Sequence, residues 1–397
     1  MTRVRFIAPP TGGLLIAGAR VALANHAFAR NRQGSFVLRA AAEDERTLSE
    51  LRWLGIAWDE IVPPGDYIGA IQHLKDTGRL YPCFESDVEL RAKREFRIKR
   101  GKPSTYDRAM LKMTATQRAA AEAGGKIPYW RFRLSNRVLT WNDMISGRRE
   151  AKLPTVSDPI LVLADGTPAP ALTAVIDDVA EAITHVIRAE EGDGTTGITL
   201  DLLDAFGESP DLIQFGHLPV LGDTGRLAIR ALRADGVEAE SLSRWIGAGG
   251  RFSPRQFARK PDPEALPAIN REVLSRRDFA DVADRLPPGA TEAFWLAIRG
   301  HIDLLNEARH WWDVVDGAIF PPIPDGAEAL IAAAHAALPA EPWNPGTWAF
   351  WLAALPEGAE AILRNLLTGE EQGPELAALL PSIGRSRVLE RLRGGQE

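Results

Sequence analysis

The sequence predicts an α/β protein in which a parallel sheet covered by helices is interrupted by an insertion and followed by a helical tail. Three observations predict this class. Residues 3–62 alternate apolar, strand-like runs with longer helical segments, which is typical of parallel strands joined by crossover helices. Near residue 85 the alternation gives way to a charged segment. Beyond about residue 226, nearly every segment has helical spacing.

Each element of the first part follows from local patterning. VRFIAPP at 3–9 and SFVLRAA at 35–41 are apolar runs of β type, which predicts two strands. An alanine-rich stretch between them predicts a helix over 19–32. Two more helices are predicted over 43–55 and 67–79, because glycines follow or close their apolar patterns.

The remaining elements are predicted in the same way. A charged helix followed by a loop is predicted over 89–102, strands and turns over 129–163, and renewed strand–helix alternation over 172–207, with a strand at 215–223. The tail predicts helices near 237–248, 263–284, 290–316, 325–337, 346–353, 357–367 and 373–395. Five tryptophans are expected to build the core of this tail: Trp311, Trp312, Trp343, Trp348 and Trp351.

Composition limits the classes of function. The chain has 397 residues, 45% of them hydrophobic and 25% charged, with a net charge of −6, so no overall basic field indicates a nucleic-acid partner. The single cysteine, Cys83, excludes a disulfide framework and a cysteine-based zinc cluster, and we expect it to be a small buried side chain. No apolar run reaches the roughly 18 residues of a membrane span. A cytoplasmic location without membrane association is therefore expected.

Three local patterns carry candidate chemistry. Gly12, Gly13 and Gly18 interrupt the apolar run TGGLLIAGAR before a predicted helix. They form either a phosphate-binding turn or a turn that only connects a strand to a helix. The pair Asp177–Asp178 is expected to be structural rather than metal-binding. A basic run either covers a solvated helix face or contacts a nucleic-acid backbone. Its cations are Arg91, Lys93, Arg94, Arg97, Lys99 and Arg100.

Several segments, in collinear order, resemble the glutamyl-tRNA synthetases, a family of class I aminoacyl-tRNA synthetases. The opening RFIAPPTGGLLIAGARVALANHAFAR is similar to the first signature region of that family. The resemblance continues through LSELRWLGIAWDE, GRLYPCFES, GKPSTYDRAML, DPILVLADGTPAPALTAVIDDVAEAITHVIRAEE, FGHLPVL and LLTGEEQGPELAALLPSIGRSRVLERL. It therefore extends over nearly the whole chain.

The resemblance implies an architecture and a reaction. It implies a Rossmann-type catalytic domain over 1–225 with an insertion at about 85–160, a helical region over 226–300 similar to the family's stem-contact region, and a shortened all-α domain over 301–397 similar to its anticodon-binding domain. Family members join glutamate to tRNA through glutamyl-adenylate. ATP with Mg²⁺ would be needed if this chain is active, and no zinc is expected. Expected ligands are tRNA, ATP and an acidic small molecule, bound by a monomer or with a partner protein.

The resemblance also implies that side chains used by the family to bind the nucleotide are replaced in this chain. At the HIGH-type signature, Leu15 replaces a histidine that donates hydrogen bonds to the triphosphate, and Ala17 replaces a glycine. We expect Leu15 to be a core side chain. Thr11, Gly12 and Gly18 keep the signature's pattern as nucleotide-binding positions.

The K-M-S-K-S-type signature is equally altered. In the mobile loop of the family's second signature, Ala228 replaces the serine and Ile229 replaces the second lysine, which stabilises the departing pyrophosphate. Arg226 and Arg230 are the remaining cations that could contact the nucleotide, although the planar guanidinium of arginine does not reproduce the compact charge of a lysine ammonium.

The amino-acid site keeps only part of its expected set. Arg5 and Arg188 match two arginines that bind substrate carboxylate, with structural ion pairs as the alternative role. Pro9 replaces a serine, Ala41 replaces the acid that holds the α-amino group, and Pro170 replaces an aromatic hydroxyl. An ammonium group in a closed pocket without such partners would be left uncompensated.

Three hypotheses follow from these substitutions. The chain could be an active glutamate–tRNA ligase that relies on Arg226 and Arg230. It could be a non-catalytic tRNA-binding or regulatory paralogue. It could also be an enzyme redirected to another anionic ligand, held by Arg5 and Arg188. We favour a scaffold that has lost standard glutamate activation, because the substituted positions served the nucleotide, the pyrophosphate and the amine together.

Overall fold

The computed structural model describes residues 1–9, 12–40, 44–247 and 249–394. These residues form two compact units. The first, which we call the α/β unit, comprises 1–227 and 246–260; the second, the helical unit, comprises 228–245 and the chain from 261 onward. The three-part domain division of the sequence analysis stays a prediction.

The described residues contain ten strands, all in the α/β unit. They are β1 (Arg3–Ile7), β2 (Ser35–Arg39), β3 (Glu60–Val62), β4 (Leu80–Cys83), β5 (Tyr129–Phe132), β6 (Val138–Asp143), β7 (Gly147–Lys152), β8 (Ile160–Val162), β9 (His185–Ala189) and β10 (Gln214–Leu218).

Eighteen α-helices are described. They are α1 (Ile16–Asn31), α2 (Glu45–Trp53), α3 (Ile68–Asp76), α4 (Asp87–Lys99), α5 (Ala115–Ala123), α6 (Pro170–Ala180), α7 (Asp193–Ala205), α8 (Ile229–Asp235), α9 (Ala239–Trp245), α10 (Pro254–Phe257), α11 (Ala265–Leu274), α12 (Phe279–Val282), α13 (Glu292–Ile298), α14 (Ala308–Asp316), α15 (Glu328–Ala337), α16 (Gly346–Leu352), α17 (Ala359–Thr368) and α18 (Leu376–Leu392). The last is broken at Gly384, whose φ of 80° is not helical.

A five-stranded parallel sheet forms the centre of the α/β unit, in the order β10-β9-β1-β2-β3. The chain runs outward from β1 to β2 and β3 on one side and returns to β9 and β10 on the other. The direction of winding therefore changes between β1 and β9, and ligands of such sheets bind beyond the carboxyl ends of the strands at this point. The predicted α/β class is confirmed.

Helix α1 covers one face of this sheet. Small alanines along it allow close packing, and Phe28 adds bulk where it meets His185 of β9 at a ring distance of 4.9 Å. Arg20 is fully buried on this helix, at 1% exposure. Its guanidinium donates to the backbone carbonyls of Pro219, Ile246, Phe257 and Arg259 at 2.6 to 3.3 Å, which ties residues 246–260 to the sheet.

The insertion supplies two antiparallel elements. Strands β4, β5 and β8 form a three-stranded sheet, and β6 pairs with β7 as a hairpin. Helix α4 begins with a capping box in which Ser86 and Glu89 exchange hydrogen bonds. None of its residues is buried, so it projects its charged side chains into solvent.

The helical unit has its own apolar core. Trp295 and Trp351 are fully buried in it, and Trp311 and Trp348 are nearly so, while Trp312 and Trp343 pack against it from its edge. The predicted role of the five tail tryptophans is confirmed. Among the helices described in either unit, none is long and apolar enough to cross a membrane.

Candidate ligand-binding site

Two cavities lie at the carboxyl ends of the central strands. The first, of about 400 Å³, lies between β1 and β9 and is called here the Arg188 cavity. The second, of about 500 Å³, lies on the β2 side and is called the Arg39 cavity. Ile7, Pro170 and Ala174 line both, so the end of β1 and the start of α6 form their shared wall. Their position is the one that the sheet topology predicts for a ligand.

Arg188, near the end of β9, is the arginine of the first cavity that forms no direct ion pair among the described residues, although Glu191 lines the same cavity. Its Nη2 donates to Thr196 Oγ1 at 2.9 Å, and its Nε donates to His217 Nε2 at 3.3 Å. In the described ranges no carboxylate lies within 4.0 Å of it, whereas Arg5 on the same wall is paired. Burial lowers the pKa of Arg188, and the charge of Arg5 lowers it further. An anion bound in the cavity would favour the charged form of Arg188 and so oppose the lowering of its pKa.

A buried relay fixes the orientation of Arg188. Asp143 Oδ2 accepts from His217 Nδ1 at 2.5 Å, and Asp143 Oδ1 accepts from backbone N–H groups of Ile145, Ser146 and His217. Burial by itself would raise the pKa of Asp143, but these hydrogen bonds hold it well below its usual range. With its Nδ1 proton facing Asp143, the imidazole presents Nε2 as an acceptor to Arg188 and Thr196.

No pattern in the sequence predicted this relay. Asp143 and Thr196 stand 74 and 21 residues away from His217, and no spacing along the chain relates the three. The one local signal was the aspartate followed by a turn in NDMISG, because an aspartate there commonly accepts from the next backbone N–H groups.

Arg5 is engaged differently from Arg188. Its Nε and Nη2 donate to the two carboxylate oxygens of Asp178 at 3.0 and 3.1 Å, a bidentate pair that is buried on both sides. Arg39 joins the same cluster through Asp178 at 3.0 Å and Glu181 at 2.7 Å. Asp177 accepts from the hydroxyl of Tyr67 at 3.0 Å. The acid pair of α6 is therefore structural, as predicted.

Hydrocarbon lines much of the Arg39 cavity. Pro9 and Pro170 stand at the positions where the resemblance expects hydroxyl groups, and both line this space. Gly12 lies on its edge with a φ of 49°, and its carbonyl accepts from Arg46 at 3.1 Å. The predicted positions Thr11 and Ala41 lie outside the described residues.

At the start of α1, another part of the chain occupies the first backbone N–H group of the helix. Leu15 precedes the helix without capping it, and it is 44% exposed, so the expectation of a core side chain was wrong. The backbone N–H of Ile16 donates to the carbonyl of Leu227 at 2.9 Å. Ala17 and Gly18 line the Arg188 cavity, and a Cβ at Gly18 would stand 3.1 Å from Leu14 Cδ1.

The turn that leads into the second signature region packs against this helix start. Residues Gly222–Arg226 form a 3-10 turn, and a Cβ on Gly225 would stand 3.3 Å from Ala17 Cβ. Arg226 is largely exposed and its one ion pair among the described residues is with Asp223, at 3.7 Å. Ala228 precedes α8, Ile229 is its fully buried first residue, and the side chain of Arg230 is exposed.

The basic run occupies α4 and the residues after it. The six predicted cations lie on this solvent-facing helix or at its end: Arg91, Lys93, Arg94, Arg97, Lys99 and Arg100. Phe96 is 55% exposed among them, and the guanidinium of Arg100 lies 4.2 Å from its ring centre. Charged groups beside an exposed aromatic ring are a common arrangement for binding single-stranded nucleic acid.

A metal centre has no ligand set in the part of the chain that the structure describes, since no three His, Cys, Asp or Glu side chains meet there. Cys83 is fully buried on β4, as predicted, and burial raises the pKa of its thiol to about 11. A thiol in this environment stays protonated at neutral pH.

Comparisons with known proteins agree with the fold. Residues 1–224 match the family model of class I tRNA synthetases (E and Q), catalytic domain. The chain is 44% identical over 438 residues to glutamate–tRNA ligase 2 of Gluconacetobacter diazotrophicus, covering 98% of this chain and 99% of that protein. It is also 44% identical over 439 residues to glutamate–tRNA ligase 2 of Acidiphilium cryptum, covering 99% of each. These alignments are longer than the 397-residue chain, so this chain lacks residues that both relatives have.

A solved structure shows the same fold at lower sequence identity. The glutamate-tRNA synthetase of Elizabethkingia anophelis superposes with a TM-score of 0.77 at 20% identity, over 99% of each chain.

Proposed function

The chain belongs to the class I glutamyl-tRNA synthetase family, and from that membership we propose that it keeps the scaffold of a glutamate–tRNA ligase while activating glutamate with ATP far below the family's rate. The site, rather than the fold, determines activity in such a scaffold.

The observation that carries this proposal is the start of α1. A helix N-terminus binds phosphate through free N–H groups and nearby donors. Here the Ile16 N–H is taken by the Leu227 carbonyl, and the preceding side chain is the hydrocarbon of Leu15. The resemblance places the signature histidine at this position. Losing one donor of this kind lowers a rate by about 10²–10³.

The cations around this helix start do not replace the lost donors. Arg20 is buried against four carbonyls, and Arg46 donates to Gly12. Arg226 points into solvent, with Asp223 as its partner. The residues present therefore do not fit a triphosphate with its Mg²⁺, and we derive no catalytic step through them.

The amino-acid site supports the same proposal. Pro170 lines both cavities where the family's hydroxyl is expected, and Pro9 lines one of them. Neither side chain has a donor or an acceptor for an ammonium group. The charge of Arg5 is already balanced by Asp178.

Glutamate-dependent exchange of pyrophosphate into ATP tests the proposal. The assay is run with and without tRNA, with the Gluconacetobacter diazotrophicus relative as the positive control. We expect exchange at least 10³-fold slower than that of the control, because losing one or more hydrogen-bond donors to the triphosphate lowers the rate by about this factor. Exchange within tenfold of the control would contradict the proposal.

A second candidate function is tRNA binding without aminoacylation. The observation that favours it is α4, a helix with no buried residue that carries the basic run beside the exposed ring of Phe96. Binding of tRNA that weakens steeply between 50 and about 200 mM salt is expected, because released counterions drive such contacts. Absence of binding at low salt would exclude it.

A third candidate is recognition of a different anion. The Arg188 cavity favours it, since Arg188 has no acidic partner while the surrounding wall is mostly apolar. A thermal-shift comparison of glutarate with glutamate tests this candidate, with Arg188→Met as the matched variant. A shift by glutarate that the variant loses supports it, and no shift with either compound counts against it.

A further inference from the structure

A separate cavity lies in the insertion, away from the carboxyl ends of the central strands. It has a volume of about 320 Å³ and lies between α4 and the segment 104–107. Four cations line it, Lys93, Arg94, Arg97 and Arg131, against the single acid Asp107. Nothing in the proposed adenylation chemistry or its loss uses this space.

Arg131 is the most informative of these cations. It is 8% exposed, and its guanidinium lies 4.2 Å from the ring centre of Tyr106. Nη1 donates to the carbonyl of Asp158 at 2.6 Å, while Nε is buried without a hydrogen-bond partner. No carboxylate among the described side chains lies within 4.0 Å of it. A buried cation without an acid is costly, and an anion in the cavity would offset that cost.

The other cations add to this positive field. Lys93 is balanced by an ion pair with Glu85. Arg97 donates through Nε to the carbonyl of Pro103 at 2.9 Å, so its terminal nitrogens remain for other acceptors. Arg94 forms no ion pair within the described ranges and is exposed on the same face of α4.

Hydroxyl groups complete the lining. Ser157 Oγ accepts from the backbone N–H of Tyr106 at 3.0 Å, which leaves its proton free to be donated. Ser104 and Thr105 line the same space. Several arginines together with hydroxyl donors suit an anion that has three oxygens and more than one charge, rather than a carboxylate.

We propose that this cavity binds a phosphate monoester. Its volume accommodates a phosphate with the sugar attached to it, and its several cations and hydroxyl groups suit the two charges and three free oxygens of a monoester better than the single charge of a phosphodiester. The phosphate could belong to the 5′ end of an RNA or to a small sugar phosphate. The RNA source rests on the tRNA binding proposed above, whereas the sugar-phosphate source does not.

The test uses the full-length protein and titration calorimetry with three probes: inorganic phosphate, ribose 5-phosphate and ribose. We expect saturable binding of ribose 5-phosphate and none of ribose. Arg94→Ala should weaken the binding about tenfold, the loss of one charged hydrogen bond. Arg148→Ala is the matched control, since Arg148 is an exposed arginine on β7 of the same insertion, outside the cavity and outside the basic run, and its loss should change binding less than twofold.

A second arm distinguishes the sources. It compares 5′-phosphorylated and 5′-hydroxyl forms of one short RNA. A tenfold preference for the phosphorylated RNA that Arg94→Ala removes assigns the site to an RNA end, whereas equal RNA binding with retained ribose 5-phosphate binding assigns it to a small phosphate ester. Absence of binding by every phosphorylated probe, or equal losses in the two variants, would overturn the proposal. These results do not depend on pyrophosphate exchange.

Discussion

Arg20 belongs to the signature region that the chain retains, and its surroundings give that retention a structural reason. The Arg20→Met substitution keeps the length and the apolar stem of the side chain while removing its charge and donors. It leaves four buried or partly buried carbonyls, those of Pro219, Ile246, Phe257 and Arg259, without their donor. The control is Arg30→Met on the same helix, because Arg30 forms an exposed ion pair with Asp59 at 3.1 Å.

The expected magnitude follows from these contacts. Hydrogen bonds to a charged group contribute about 1.5–3 kcal/mol each, but contacts of one guanidinium are not additive. A buried carbonyl left without its donor costs about 1–3 kcal/mol, and because the four contacts are not additive we expect Arg20→Met to lower the free energy of unfolding of the α/β unit by about 3 kcal/mol in total. Arg30→Met should cost at most about 1 kcal/mol, as exposed pairs do.

Urea unfolding followed by hydrogen exchange measures both the size and the location of the effect. In Arg20→Met the amides of 246–260 should lose protection first, because Arg20 holds three carbonyls of that segment. An equal cost for the Arg20 and Arg30 variants, or unchanged protection over 246–260, would refute the reasoning.

Three further predictions concern stability and reactivity. Asp143→Asn should lower the free energy of unfolding by about 2–3 kcal/mol at pH 7. Because the pKa of Asp143 is lower in the folded state than in the unfolded state, its carboxylate stabilises the fold fully above the unfolded pKa of about 3.9. The difference in stability between wild type and variant should therefore narrow as the pH falls below about 4. A constant difference down to pH 3 would contradict this. Cys83, with a pKa of about 11, should react with a thiol reagent at pH 8 only as fast as the protein unfolds, and rapid native labelling would argue against its burial. Gly236→Ala should lower the free energy of unfolding by at least about 2 kcal/mol, because Gly236 has a φ of 94° and a Cβ there would stand 2.4 Å from the backbone nitrogen of Leu305. The control is Gly326→Ala, at a φ of 81° in open space, which should lower it by only about 1 kcal/mol. Equal losses of stability for the two variants in chemical denaturation would contradict the clash.

The sequence predicted the elements whose own apolar pattern indicates which face is buried. Strands β1 and β2 and helix α1 lie within about three residues of the predicted bounds, because each buries an apolar face against the sheet. The predicted helix over 290–316 is in fact two helices, α13 and α14, with Gly300 between them. Strand β7, with the sequence GRREAK, was not distinguished, since it has no apolar alternation and forms by pairing with β6.

The site was less predictable than the fold, because its contacts join distant parts of the chain. The resemblance identified Arg5 and Arg188 together, yet only the structure shows that Arg5 pairs with Asp178, 173 residues away. The apolar side chain of Leu15 led us to expect this residue in the core, but the structure exposes Leu15 because it precedes the first helical turn. Partners of this kind are set by strand order and cannot be read from local spacing.

We propose that the phosphate site expected at the start of α1 has lost donors, because Leu15 offers only hydrocarbon and the Leu227 carbonyl takes the N–H of Ile16. Calorimetric titration of the protein with MgATP, in the presence of glutamate and tRNA, tests it most directly, with the Gluconacetobacter diazotrophicus relative titrated in parallel. We predict no saturable heat at ATP concentrations that saturate the relative. Saturable binding of MgATP with an affinity equal to that of the relative would contradict the account.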